Sequence, residues 1–235
     1  MKKGLDANQI KYIVIIAMLV DHIAWLFVPL YSAAGQAMHF VGRLTGPTMA
    51  VLIADGYRYT KDVNRYTLRL AVFALISWPC YCLMDYGKIK LEFGVIYTLF
   101  LALLAVRLYD SDAHLALKIL GMMLLFVLSG YGDWAYYDIA FALIAHVWHD
   151  DRKTRWIIHT AVCVFDLVLV TEMILASGHP WYYAFFECGT FLVVPLFALL
   201  YNGERGSGRP FHKWFFYVFY PLHMLVLWYI KYCAL

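Results

Sequence analysis

The apolar residues of this chain come in long blocks separated by short polar stretches. A helix that crosses the hydrocarbon layer of a bilayer needs about 20 such residues in a row, and by that measure the blocks predict about nine helices. They run roughly over 11–30, 37–57, 66–84, 93–109, 115–130, 133–149, 155–176, 182–201 and 213–233. The fifth and sixth are short, which leaves eight or ten as alternatives. The expected fold class is therefore all-α, a polytopic integral membrane protein with a single transmembrane domain over residues 1–235. No repeat or low-complexity tract interrupts it, and the longest polar piece, YNGERGSGRPFHK, reads as a loop with Gly and Pro breakers.

Composition excludes a soluble reading: 63% of the residues are hydrophobic, 15% are charged, and the mean hydropathy is +0.66. The first block follows Lys2 and Lys3 and resembles a signal peptide at first sight. Its apolar run continues from Tyr12 to Val28, longer than a usual signal core, so it reads as a retained helix. Lys and Arg then orient the layout, because short cytoplasmic loops carry them in excess. With the N-terminus cytoplasmic, 15 of the 19 fall on the inner side, Lys88, Lys90 and Lys231 fall outside, and Arg43 lies within a helix. The eight tryptophans fall near proposed helix ends, as amphipathic rings at the two interfaces should. A net charge of +3 spread along the chain suggests no nucleic-acid partner. The five cysteines read as small buried hydrophobes, and no metal site is expected.

Ionisable residues at membrane depth are costly, so each either holds helices together or marks a site. Asp21 and His22 sit inside IIAMLVDHIAWLF, Arg43 inside VGRLTGPTM, and His223 inside FYPLHML, all at similar depth. Arg43 keeps its charge and needs a carboxylate, for which Asp21 is the obvious candidate. Gly42 and Gly46 would let a neighbouring helix approach closely, and Pro47 would kink the helix beside the cation. Asp55, Asp138 and Glu187 lie near proposed helix ends, where solvation is the expected state; Asp166 lies deeper, with no role assigned. Lys11 and His22 are eleven positions apart, about three turns plus 20°, so they share one stripe roughly 16 Å long. That alignment suits an elongated anionic ligand entering from the cytoplasm. Arg58, Lys61, Arg65 and Arg69, in the inner loop GYRYTKDVNRYTLRL, could add phosphate contacts.

The segments IKYIVIIAMLVDHIAWLF, VGRLTGPTMAVLIADGYRYTKDVNRYTLRLAVFALIS, GVIYTLF and FYPLHMLVL resemble, in that order, the TraX family of bacterial membrane proteins. That family takes its name from a conjugation protein that acetylates the N-terminus of pilin. It is similar to membrane acyltransferase family 3, whose first helix carries an Arg, ten residues and an essential His. Lys11, ten residues and His22 match that spacing, with Lys in place of Arg. The resemblance implies a multi-pass protein of the bacterial cytoplasmic (inner) membrane. It also implies acyl transfer from acetyl-CoA, or another acyl-CoA, to a peptide N-terminus, glycan or small molecule. His22 would then act as base or acyl carrier, with Asp21, Arg43 and His223 completing the reacting set. Lys11, Arg58, Lys61, Arg65 and Arg69 would hold the CoA phosphates. A transporter or flippase using the same residues for proton relay is the rival class. An envelope-assembly scaffold is a third reading, and it leaves the polar set idle.

Overall fold

The computed structural model describes residues 4–234, apart from the side chain of Lys213. Lys2 and Lys3, counted above on the inner side, lie outside the described residues, as does the Lys213 side chain. The helices are α1 (Ala7–Phe27), α2 (Ala33–Gly42), α3 (Thr45–Tyr59), α4 (Val63–Tyr86), α5 (Val95–Asp110), α6 (Leu115–Ser129), α7 (Tyr137–Val147), α8 (Arg152–Ala176), α9 (Trp181–Leu200) and α10 (Pro210–Tyr229). Among the described residues the extended pairings are two isolated bridges, Leu5 with Tyr201 and Phe93 with Gly132. Four helices, α1, α4, α8 and α9, are long and apolar enough to cross a membrane, and α6 and α7 are shorter apolar helices.

The distribution of side chains is that of a protein in lipid. Leu117, Leu120, Leu124 and Val127 of α6 and Val164, Phe165, Val168 and Met173 of α8 are exposed. His22, His39, Asp138, His159, Asp166, Glu187 and His223 are buried. A soluble protein rarely exposes apolar surface on this scale, whereas a bilayer solvates it and drives the polar groups inward.

The chain divides into two compact units, one of residues up to Thr48 with Asp151–Lys213, the other of Met49–Asp150 with residues from Trp214 onward. In the first, α1 starts in a capping box: Gln9 N–H donates to Asp6 Oδ1 at 2.9 Å and Asp6 N–H to Gln9 Oε1 at 2.9 Å. The loop before α10 is tied to this end, with Asn8 Nδ2 donating to the Ser207 carbonyl at 2.8 Å and Ala7 N–H to that of Glu204 at 2.9 Å. Helix α8 is capped by Asp151, which accepts from Thr154 N–H at 3.0 Å. That hydrogen bonding to Thr154 holds the Asp151 carboxyl below its ordinary range.

The expected helix over 37–57 is two helices. Arg43 caps the C-terminus of α2, its N–H still bonded to the His39 carbonyl at 2.9 Å, and α3 restarts at Thr45. Pro47 therefore sits in the first turn of α3, where a missing N–H breaks no helical bond, and the interruption falls ahead of it rather than at it.

In the second unit α5 is buried along nearly its whole length and packs against α4, α6 and α7. Its first N–H, on Val95, donates to the Tyr220 hydroxyl at 3.1 Å, and Thr98 donates to Asp138 Oδ2 at 2.8 Å. At the other end Arg107 donates to Thr67 Oγ1 at 2.8 Å and Asn64 Oδ1 at 2.7 Å. Asp138, expected to be solvated, is enclosed because α7 begins only at Tyr137 and so presses its first turn against α5.

Lipid solvation and interior packing make opposite demands on substitutions here. Ala102 of α5 is 0% exposed, so Ala102→Leu should cost about 1–3 kcal/mol through overpacking. Leu124 of α6 is 57% exposed, so Leu124→Ile should stay within about 0.5 kcal/mol. Thermal unfolding in nanodiscs checks this: only the first variant should melt at a lower temperature.

Candidate functional site

Two neighbouring stripes on α2 organise the first unit. Gly35, His39 and Gly42, spaced four and three apart, are its buried face. Beside them run Gln36, Phe40 and Arg43 at the same spacing, and these meet α9. Gln36 Nε2 donates to the Tyr183 carbonyl at 3.1 Å while its Oε1 accepts from Phe186 N–H at 3.2 Å. Phe40 stacks on Phe185 with centroids 5.3 Å apart. Gly189 allows the approach, because a Cβ there would collide with the Phe40 carbonyl oxygen.

The first stripe meets α1 at Asp21. His39 Nδ1 lies 2.7 Å from Asp21 Oδ1, and an ionised carboxylate only accepts, so Nδ1 donates. One turn further, a Cβ at Gly42 would collide with the Asp21 carboxyl. His39 thus binds the carboxylate, and Gly42 leaves room for it. Trp25, one turn beyond Asp21 on α1, lies over the His39 ring at 4.5 Å between centroids, and the edge of Phe186 stands 6.0 Å away.

The second stripe meets Glu187, whose position follows from how α9 is wound. Trp181–Leu192 forms a 3₁₀ helix, in which residues three apart eclipse, and Ala184, Glu187, Thr190 and Val193 are all buried at that spacing. Read as an α-helix near a helix end, Glu187 would be solvated; wound by threes, it belongs to the packed stripe. It faces α8, whose buried residues Trp156, His159, Cys163, Asp166 and Ile174 recur at three to four and then eight positions. Asp166 lies beside Glu187, Cys163 beside Thr190, and Trp156 packs against Phe197 at 5.8 Å.

Arg43 Nε lies 3.4 Å from Glu187 Oε2, and the guanidinium carbon sits 5.1 Å from the Phe186 ring centre. The structure gives Arg43 a carboxylate in Glu187 and binds Asp21 to His39. The first unit accordingly holds a line of polar groups, His39–Asp21 and then Arg43–Glu187–Asp166, along helices that are otherwise apolar. Such a set can accept and release protons and can present a fixed positive charge to an anionic or carbonyl oxygen.

His22 is buried on α1 beside Asp21, turned by about 100° from it, as adjacent helical residues must be. Lys11 lies three turns earlier on the same helix and is partly buried. The remaining expected residues belong to the second unit. His223 is buried in α10, its Nδ1 2.9 Å from the Phe219 carbonyl and its ring stacked on Phe219. Arg58, Lys61 and Arg65 are exposed where α3 gives way to α4. Arg58 donates to the His146 carbonyl at 3.3 Å and Arg65 lies 3.5 Å from Asp62. Arg69 is held more closely, donating from Nε to the Tyr217 hydroxyl at 2.9 Å between the rings of Tyr66 and Tyr217. Among the described residues no group of three or more His, Cys, Asp or Glu side chains is placed to hold a metal ion. The described cysteines are free thiols, with Cys80, Cys82 and Cys163 buried, Cys188 half-buried and Cys233 exposed.

Sequence reasoning did not single out His39. The signal was present, since His39 stands three residues before Gly42 and four before Arg43, on the turn that faces Asp21. It was masked by treating 37–57 as one continuous span.

Residues 6–231 match the TraX family, described as "TraX protein". The chain is 33% identical over 238 residues to a protein of Dichelobacter nodosus named "Probable fimbrial assembly protein FimC, serogroup H1", and the alignment covers 97% of each chain. No solved structure gives a significant match.

The close contact at Asp21 predicts a sharp contrast between two glycines. Gly42→Ala should destabilise by about 1–3 kcal/mol, because the carboxyl it displaces is fixed by His39. Gly208, with nothing within 4 Å of an added Cβ, should tolerate Ala within about 0.5 kcal/mol. Melting temperatures of the two variants in the same detergent check the difference.

Proposed function

Because the chain belongs to the TraX family, we propose that it is a membrane-embedded acyltransferase, moving an acyl group from an acyl-CoA to an amine or hydroxyl. The acyl group is most simply acetyl, and the acceptor belongs to the membrane or the extracytoplasmic side. The name of the Dichelobacter nodosus relative speaks of fimbrial assembly, which supports a pilus subunit, through its N-terminal amine, as that acceptor. The observation that carries the reading is the pairing of Asp21 with His39 and Arg43 with Glu187 inside apolar helices. One such pair could serve only to hold helices together. A linked set offering a base and a fixed cation has the parts that acyl transfer needs.

The reaction requires removal of the acceptor's proton and stabilisation of negative charge on the carbonyl oxygen. In this proposal the Arg43 guanidinium faces that oxygen and Asp21 fixes the neighbouring imidazole. His22 works on the acyl group, as base or as the nitrogen that first accepts it. Lys11, three turns before His22 on the same helix, binds a phosphate of CoA. The protein sits in the bacterial cytoplasmic membrane as about nine spans with its N-terminus inside, as the Lys and Arg distribution favours.

Release of free CoA from acetyl-CoA, by protein in nanodiscs with an envelope extract as acceptor, tests the reading. His22→Ala should lower the rate by about 10²-fold or more, the usual contribution of a proton-transfer or nucleophilic group. Arg43→Lys should lower it as well, because an ammonium keeps the charge but loses the planar fork. If the wild-type protein transfers no acyl group from any acyl-CoA, the transporter class replaces this one.

A further inference from the structure

The Asp21–His39 pair has a feature that helix packing alone does not explain. With its Nδ1–H given to Asp21, His39 keeps a lone pair on Nε2. That nitrogen is enclosed, receives no hydrogen bond from the protein, and belongs to a residue with 0% exposure. A buried acceptor without a donor costs free energy, and such a group is expected where a partner arrives from outside. The ring is also held in place: Asp21 fixes it through Nδ1, and Trp25 and Phe186 pack against it with tilted rings.

Its neighbours distinguish His39 from His223 and His146. His223 has its Nδ1 on the Phe219 carbonyl of its own helix, at 2.9 Å. His146 has an aspartate, Asp110, at 2.9 Å, but that carboxylate is 39% exposed and the pair lies where α5 and α7 end. His39 stands one turn, about 6 Å, before Arg43, and the bond from Arg43 N–H to the His39 carbonyl keeps them in helical register.

We infer that His39, oriented by Asp21, is the base that takes the proton from the acceptor, while Arg43 one turn away receives the carbonyl oxygen. The inference rests on the acyl-transfer reading and deepens it, since it moves the acceptor's deprotonation from His22 to His39 and leaves His22 the acyl-facing part. The acceptor's N–H or O–H supplies the missing hydrogen bond to Nε2. As its nitrogen or oxygen bonds to the acyl carbon, the N–H or O–H bond breaks and the proton passes to Nε2. The electron pair of the carbon–sulfur bond leaves with the CoA thiolate, and the proton moves from Nε2 to that sulfur. If His22 carries the acyl group first, the carbon–nitrogen bond breaks in its place and the proton goes to the departing imidazole. Trp25, which packs against the imidazole, is itself 47% exposed, so a turn of its ring would open a path to His39.

The test uses full-length protein in nanodiscs, acetyl-CoA and an envelope extract as acceptor. His39→Gln retains an N–H donor for Asp21, and its monodisperse elution verifies folding. CoA release by this variant should fall by about 10²-fold with acetyl-CoA binding essentially unchanged, and free imidazole should restore most of the lost rate to His39→Gly. A His39→Gln variant that keeps more than half the wild-type rate overturns the assignment while leaving acyl transfer standing. So does a loss that imidazole cannot rescue, which would mark His39 as structural. A wild-type protein that turns over no acyl-CoA at all removes the acyl-transfer reading and this inference with it.

Discussion

A carboxylate inside a helix that faces lipid must be paired or neutralised, because the hydrocarbon layer offers it no water and the cost is several kcal/mol. Asp21 meets that demand through His39, at 2.7 Å. The contact dictates much of the first unit. It requires α2 to cross α1 closely enough that only glycine fits at position 42. It places Trp25 across the imidazole. It also fixes the rotation of α2 about its axis, so that Gln36, Phe40 and Arg43 face α9.

The same constraint recurs in the neighbouring layer. Arg43 cannot lose its charge, and the carboxyl beside it comes from a segment wound as a 3₁₀ helix. Long 3₁₀ runs are unusual, because their hydrogen bonds are poorer than those of an α-helix. Here the winding aligns Glu187 with Thr190 on the face that α8 covers, beside Asp166 and Cys163. The interruption of the chain between α2 and α3 belongs to the same design. Ending α2 at Gly42 leaves Arg43 at a helix C-terminus, where the unpaired carbonyl ends favour a cation.

Much of this was legible in the sequence, and the exceptions have physical causes. Length and hydropathy of the apolar blocks gave an all-helical membrane protein, because lipid burial leaves no other way to satisfy the backbone. The cost of ionisable groups in lipid drew attention to Asp21, His22, Arg43 and His223, three of which lie within the first unit. The partners were harder to read, since which residue Asp21 meets depends on tertiary crossing rather than on spacing along the chain. His39 lay hidden in a segment taken as one long helix, and Pro47 suggested a kink where the chain instead ends one helix and begins another. Glu187 and Asp138 looked solvated because position relative to a helix end is a poor guide when the winding changes or the helix starts late. Sequence also contained no sign that the two units are assembled from discontinuous stretches of chain.

A double-mutant cycle on Asp21 and His39 tests most directly whether their bond organises the site. Asp21→Asn, His39→Gln and the double variant would be compared with the wild-type chain by equilibrium unfolding in the same detergent. A coupling free energy of about 1–3 kcal/mol, in the range measured for directly bonded charged groups, is the expected result. Additive effects of the two substitutions, with coupling near zero, would contradict it and would mean that the half-buried carboxylate is satisfied by something other than His39.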